Sequence, residues 1–175
     1  MWLVSSWCRS ALSETLASFN QLSRGEAERR LLACCGSRAW ASAVARGRPY
    51  ASVPALMEAA DVEWAGLKPS DWLEAFTAHP RIGERGGRAP AASNREQKGV
   101  MSAREQTLAV LAEGNRLYED RFGHVFLISA AGRSAEDVVA ALRQRIENDP
   151  ATELQLAAEE QRKITRLRLK SMLSS

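Results

Sequence analysis

Residues 149–173 read DPATELQLAAEEQRKITRLRLKSML and carry the clearest structural signal in the chain. Asp149 followed by Pro150 predicts a helix start, because the carboxylate caps free backbone N–H groups and proline fits the first helical position. Apolar side chains then recur at helical spacing, at Leu154, Ala157, Ala158, Ile164 and Leu167. Cations gather toward the C-terminal end, which the helix dipole favours: Arg162, Lys163, Arg166, Arg168 and Lys170. The stretch therefore predicts a long amphipathic helix packed on a core.

Helix start signals recur upstream of this stretch. Ser23 with Glu26 and Ser102 with Glu105 have the Ser-x-x-Glu spacing of a capping box, and Ser134 with Asp137 is a related start. Breaks at Gly47-Arg48-Pro49 and Lys68-Pro69-Ser70 separate further predicted helices, and the glycine-rich residues 83–92 predict a loop. These helices are expected at residues 40–46, 53–61 and 71–78.

One segment departs from the helical pattern. Residues 124–129 read HVFLIS between glycines at 123 and 132, and their central residues suit an extended, buried conformation. Alanine, by contrast, accounts for 29 of the 175 residues, and β-branched residues are sparse elsewhere. The expected fold class is therefore all-α, a single helical domain of about seven to nine helices.

Composition excludes several classes of protein. Apolar residues make up 45% and charged residues 26% of the chain, which is typical of a folded domain and not of disorder. The longest uncharged stretch, residues 122–132, is too short to cross a bilayer, so no membrane span is expected. A net charge of +3 gives no basis for nucleic-acid binding. Three cysteines and a start without a secretory signal predict a cytoplasmic protein without a disulfide framework.

Candidate chemistry is sparse, and each candidate has an ordinary structural alternative. His79 and His124 are the two histidines, and neither has zinc-ligand spacing, so no metal site is expected. His79 precedes Pro80 at a predicted helix end, where a histidine can be a cap, a surface group or a catalytic base. Ser93-Asn94-Arg95-Glu96-Gln97 is either a further capping box or an anion-binding helix start. The Gly83–Arg88 loop lacks the Gly-Lys-Ser/Thr ending of a phosphate-binding loop.

A combination of motifs identifies a family resemblance. Ala78-His79-Pro80 is followed by Ser93-Asn94-Arg95-Glu96-Gln97 and then by Arg121-Phe122-Gly123-His124-Val125-Phe126, in order. The chain resembles the decarboxylases of 2-oxo-4-hydroxy-4-carboxy-5-ureidoimidazoline (OHCU), which form (S)-allantoin in urate degradation. The similarity extends from Phe19 to Leu173. It implies a family domain at residues 19–173 behind an N-terminal extension at residues 1–18.

The resemblance implies an all-helical fold, a cofactor-free carboxy-lyase, a small ureidoimidazoline substrate and a homodimer. It places the catalytic histidine at His79 and a second catalytic group at Glu96. The implied substrate contacts are Pro80, Ser93, Asn94, Arg95, Glu96, Gln97, Phe126, Leu127, Ile128, Ser129 and Ala130. Two departures from many members, Arg81-Ile82 after His-Pro and Ser129 in place of cysteine, concern substrate contacts and not the reaction.

These residue types suit the implied reaction. An imidazole with an ordinary pKa near ~6.5 can act as general acid and base at neutral pH, which is the expected role of His79. Glu96 would orient the imidazole or the substrate, and Ser93 and Gln97 would bind ring and ureido groups. An extended segment at residues 126–130 would offer backbone groups to a planar ring, since a helix would use them internally. Two alternatives remain: a lyase or hydrolase acting on a related ureido or imidazoline compound, and a non-catalytic helical interaction module.

Overall fold

The computed structural model describes residues 15–83, 97 and 105–174. These residues form eight helices and no strand, which confirms the expected all-α class. The helices are α1 (Leu16–Gln21), α2 (Arg24–Cys34), α3 (Arg38–Arg46), α4 (Val53–Ala65), α5 (Pro69–Phe76), α6 (Glu105–Phe122), α7 (Ala135–Arg145) and α8 (Pro150–Leu173). None of the described helices is long and apolar enough to cross a membrane.

Local signals set most helix starts as predicted. Ser23 and Ser134 open α2 and α7 with complete capping boxes to Glu26 and Asp137. Asp149 opens α8, since its carboxylate accepts the backbone N–H groups of residues 151 and 152 at 3.1 and 3.0 Å. The Ser102 start lies outside the described residues.

Several helix bounds differ from the sequence expectation. Helix α4 continues four residues past the expected end at 61, to Ala65, and α3 and α5 each begin two residues earlier than expected. Helix α5 ends at Phe76, two residues earlier than predicted, and Thr77 and Ala78 form a turn before His79-Pro80. Helical dihedral angles are disfavoured at a residue that precedes proline, and His79 precedes Pro80. This explains why α5 stops before His79. At the other end of the chain, α1 begins at Leu16, inside the expected extension, and Thr15 caps it; residues 1–14 lie outside the described residues.

The apolar core consists of two clusters. The larger one joins α1–α5 to α8, with Trp40, Phe76 and Leu169 at or close to zero exposure. The smaller one joins α6 and α7, around Leu111 and Tyr118. Buried indole N–H groups are paired across the larger cluster, as in the 3.0 Å bond from Trp64 to a carbonyl of α8. A buried polar group without such a partner would cost stability.

The segment at residues 125–130 lies between the two clusters and is not helical, as predicted. Its side chains alternate, as they do in an extended chain. Leu127 packs in the larger cluster, and Phe126, Ile128 and Ala130 pack in the smaller one. The segment therefore connects both halves of the domain through one short run of backbone.

The described cysteines pack as expected for structural thiols. Neither Cys34 nor Cys35 is in a disulfide, and both are buried at the end of α2. Burial raises the pKa of the Cys35 thiol to about 11, so this thiol remains protonated at neutral pH. Cys8 lies outside the described residues.

Gly36 provides a test of the packing next to His79. A Cβ at this position would lie 2.6 Å from the Cβ of Ala78, whereas a Cβ at Gly25 would meet nothing closer than 3.9 Å. We expect Gly36→Ala to lower the free energy of unfolding by about 1–3 kcal/mol, since the backbone of the turn at Ala78 must shift to admit the methyl group. Gly25→Ala should leave it unchanged or raise it slightly. Urea denaturation of both variants measures this, and equal stabilities would contradict the packing.

Candidate active site

His79 lies where α5 has ended and the chain turns back toward α8. Its backbone N–H donates to the Phe76 carbonyl at 3.1 Å, and Pro80 follows at once. The ring is turned inward, because its Nε2 atom is inaccessible to solvent. The short turn thus directs a titratable side chain into the domain interior.

A cavity, here called the His79 cavity, gathers residues that are far apart in the sequence. It has a volume of about 400 Å³ when the part open to solvent is included. Its described lining consists of His79, Pro80, Ile82, Gln97, Phe126, Leu127, Ile128, Ser129, Ala130, Ala131, Ile164 and Leu167. Each described residue of the predicted substrate contacts is in this lining. Of the remaining predicted residues, Ser93, Asn94, Arg95 and Glu96 lie outside the described residues.

Gln97 is the described member of the predicted Ser93–Gln97 group. Its side-chain oxygen accepts the Gly83 backbone N–H at 3.0 Å, which ties it to the segment that carries His79. The neighbouring Ile82 carbonyl accepts from the Asn115 side chain at 2.9 Å. Residues 79–83 are therefore held on both sides by side-chain amides.

His124 has a different environment from His79. Its ring lies against those of Phe76 and Tyr118, with centroids 5.2 and 5.5 Å apart, and it is absent from the His79 cavity lining. This packing agrees with the ordinary structural interpretation of His124.

The environment of His79 changes its expected proton affinity. Burial lowers the pKa of the imidazole from 6.5 to about 4, and the positive charge of Arg168 acts in the same direction. The Gln161 side chain acts the other way, because its polar amide near the ring favours the protonated form. The sequence expectation of a pKa near neutrality is therefore wrong for the unliganded protein, because it ignored burial. At neutral pH His79 is an uncharged base.

A buried polar face of α8 lies near His79, outside the described cavity lining, and the sequence analysis missed it. Gln161, Thr165 and Arg168 are all buried, and the Gln161 amide donates to the Thr165 hydroxyl at 3.1 Å. Gln161 Oε1 and His79 Nε2 have no partner within hydrogen-bond geometry among the described residues. The available signal was periodicity: positions 161, 165 and 168 share one helix face with Ile164 in the apolar stripe.

Arg168 differs from the other cations of α8. Arg162 and Arg166 both pair with Asp61 of α4 at the surface, as expected for a solvated helix end. Arg168 is only 8% exposed and lies close enough to His79 to affect its pKa. The predicted cationic cluster thus divides between a surface ion-pair group and a buried guanidinium near His79.

Some backbone groups of residues 126–130 already form hydrogen bonds with side chains of the protein. The Leu127 carbonyl accepts from Arg145 at 2.6 Å, and the Ser129 carbonyl accepts from Arg133 at 3.1 Å. The Ser129 N–H donates to the Glu160 carboxylate at 2.7 Å. The expectation that the whole segment presents its backbone to a ligand is therefore too broad, since these three groups hold the segment in place.

Arg81 and Ile82, the residues that depart from many family members, have separate roles here. Arg81 makes a two-bond ion pair with Glu119 of α6, at 2.7 and 2.8 Å, and is absent from the cavity lining. Ile82 is buried and belongs to the cavity lining. Arg81 thus fastens the segment to α6 while Ile82 supplies an apolar surface. Within the described ranges, no group of three His, Cys, Asp or Glu side chains could hold a metal ion.

Comparison with known proteins agrees with this geometry. Residues 20–170 match the model of the family described as OHCU decarboxylase. The uric acid degradation bifunctional protein TTL of Arabidopsis thaliana is 38% identical over 151 residues, which are 81% of this chain and 45% of that protein. The OHCU decarboxylase of Amia calva is 32% identical over 140 residues, or 76% of this chain and 79% of that protein.

Solved structures show the same fold. The crystal structure of an OHCU decarboxylase in the presence of (S)-allantoin matches with a TM-score of 0.73 and 36% identity, over 82% of this chain and 96% of that one. The crystal structure of an (S)-allantoin synthase matches with a TM-score of 0.71 over 93% of this chain and 54% of that one, but at 20% identity it supports the fold alone.

Acidification is expected to destabilise the protein through His79. The unfolded chain takes up this proton near pH 6.5 and the folded chain near pH 4, so stability present above pH 6.5 is lost as the pH falls toward 4. At pH 5 the loss from this group is about 2 kcal/mol. Urea denaturation at neutral pH and at pH 5 measures it. His79→Gln, whose amide does not titrate, is the control, and equal acid losses in both proteins would contradict the low pKa.

Proposed function

The chain belongs to the OHCU decarboxylase family, and we propose that it converts OHCU to (S)-allantoin in urate degradation as a carboxy-lyase. The observation that supports this most directly is the half-buried, uncharged His79, whose Nε2 atom is inaccessible to solvent, in the wall of a cavity that the predicted ring-binding segment also lines. A cavity with a perturbed titratable group is the usual form of a catalytic site.

The substrate carries a carboxylate on a ring carbon next to a carbon–nitrogen double bond. When the carbon–carbon bond breaks and carbon dioxide leaves, its electron pair moves into that double bond, and the nitrogen takes up one proton from water. The substrate itself therefore accepts the electrons, so the protein has to orient the carboxylate and control protons.

His79 suits the two proton transfers that the protein must control, which are removal of the substrate hydroxyl proton and protonation of the ring carbon. As an uncharged base it accepts the substrate hydroxyl proton while carbon dioxide departs. The resulting imidazolium is a stronger acid than an exposed one, because burial and Arg168 both disfavour its charge. It then returns the proton to one face of the neighbouring ring carbon, which gives a single enantiomer. The low pKa thus favours delivery in the second step.

The remaining groups bind and orient the substrate. Arg168 is the buried cation near His79. It lies outside the described lining of the His79 cavity, and we assign it the substrate carboxylate because its charge acts on His79 and a guanidinium matches a carboxylate with two parallel hydrogen bonds. Gln97 lines the His79 cavity and would bind the ring or ureido group. Glu96 and Ser93 keep the roles assigned from the sequence, orienting His79 or the substrate and binding a ring oxygen. Pro80 and residues 126–130 enclose the ring.

The family resemblance also supports a homodimer, and one surface of the protein is consistent with it. An apolar groove between α6 and α7 is lined by Val110, Leu117, Val139, Leu142 and Ile146, and Leu117 is 51% exposed. Light scattering at micromolar concentration should give twice the monomer mass, and a monomer mass would contradict the dimer. A cytoplasmic location remains a prediction from the sequence.

Removing the imidazole tests the proposed function. We expect His79→Asn to lower kcat by at least about 100-fold, because proton transfer by a placed side chain contributes that much. The assay adds freshly formed OHCU and follows allantoin by circular dichroism, which separates enzymatic (S)-allantoin from the slow racemic product. Wild-type protein that does not accelerate (S)-allantoin formation would rule out the proposed function. A His79→Asn variant with wild-type kcat would rule out the role of His79.

Glu96 can be tested separately from its capping pattern. If it orients His79 or the substrate, Glu96→Gln should lower kcat/KM by about 10- to 100-fold. If Glu96 only caps a helix, Glu96→Gln should leave turnover normal and change stability little, since glutamine also completes a capping box. Glu26→Gln, in the structurally established capping box of α2, is the matched control for a pure cap.

A further inference from the structure

A buried ion pair lies directly behind the wall of the His79 cavity. Arg145 is in the last turn of α7 and Glu153 in the first turn of α8, with side chains 10% and 0% exposed. Glu153 Oε1 accepts from Arg145 Nε at 2.8 Å, from Arg145 Nη2 and from the Tyr118 hydroxyl. Its Oε2 accepts from the Asn148 amide at 2.8 Å. Both oxygens of this carboxylate are therefore occupied, and its position is fixed.

The remaining nitrogen of Arg145 reaches the cavity wall. Nη1 donates to the Leu127 carbonyl at 2.6 Å, and the guanidinium carbon lies 4.7 Å from the centroid of the Phe126 ring. Phe126 and Leu127 both line the His79 cavity. A single side chain thus holds two successive residues of the wall, one through its backbone and the other through its ring.

Stability alone gives a weak reason for this arrangement. Removing two charges from water costs about as much as their attraction returns, so apolar residues of similar volume often serve a core equally well. An apolar pair could not hydrogen-bond the Leu127 carbonyl, and a guanidinium can do so while also binding a carboxylate. Compared with an apolar pair, the ion pair adds the hydrogen bond from Arg145 to the Leu127 carbonyl in the cavity wall.

We propose that Arg145, held by Glu153, is a positioning residue that fixes Phe126 and Leu127 and so orients the substrate ring relative to His79. The proposal rests on the proposed function, because the ring it orients is the one decarboxylated there. Orientation of the ring decides which of its faces receives the proton. Loss of the contact should therefore affect the enantiomeric purity of the product as well as the rate.

Three variants separate positioning from stability. Arg145→Lys keeps the charge, but one ammonium cannot replace the planar fork that binds Glu153 and Leu127 together. The double variant Arg145→Met with Glu153→Gln removes both charges, so it leaves no unpaired buried ion, and the new amide oxygen can still accept from the Tyr118 hydroxyl. Tyr118→Phe is the matched control, since it removes a bond to the same Glu153 oxygen and leaves the Arg145 contact to Leu127 intact.

The measurements are kcat, KM, enantiomeric excess of (S)-allantoin, urea stability, and amide hydrogen exchange of residues 127–130. We expect both Arg145 variants to lower kcat/KM by about 10- to 100-fold, since a misplacement of about 1 Å can cost that much. They should also lower the enantiomeric excess and accelerate exchange in the segment. Tyr118→Phe should lose stability while kcat/KM stays within about twofold of wild type.

The outcomes distinguish the two proposals. Active wild-type protein together with a folded double variant of unchanged kcat/KM and enantiomeric excess would overturn the positioning role alone. Equal losses of activity in the double variant and in Tyr118→Phe would also overturn it, because stability would then account for both. Wild-type protein without decarboxylase activity would overturn the proposed function, and hydrogen exchange would still show whether Arg145 orders the segment.

Discussion

An α-helix uses its own backbone N–H and C=O groups, and this constraint determines where an all-helical chain can build a polar site. In this protein two interruptions meet the requirement: residues 79–83 after α5 and residues 125–130 before α7. Both contribute to the same cavity, whose described lining also includes Ile164 and Leu167 of α8, Gln97 and Ala131. The site exists because two helix ends, distant in sequence, are brought against one continuous helix.

The 24-residue helix α8 can serve both the core and the site because its faces differ in character. Ala157 and Leu169 are fully buried in the larger apolar cluster. Arg162 binds Asp61 of α4 at the surface, whereas Arg168 is turned inward beside His79. A rigid helix fixes the positions of these side chains along its axis. Packing of the apolar face therefore also sets the distance between Arg168 and the imidazole of His79.

Local signals explain what the sequence could predict. The Ser134 and Asp149 caps and the extended segment around Phe126 depend on neighbours a few residues away, and the structure confirms them. The environment of His79 could not be predicted in this way, because its pKa depends on burial and on a charge carried by α8, far along the chain. The resemblance to a known family, and not spacing, selected His79 and the segment at residues 126–130. It gave no indication of Gln161, whose burial appears only when α8 packs.

The charges around His79 suit a site that binds an anion. They do not suit a histidine that is already protonated before an anion binds. Burial and Arg168 both oppose a proton on the ring, and Gln161 supports one. A substrate carboxylate bound beside Arg168 would offset part of that positive field, so the proton affinity of His79 would rise with the substrate in place and fall again when carbon dioxide leaves as a neutral molecule. Uptake of a proton and its return to the ring would then follow from the charge of the substrate itself, without movement of the protein.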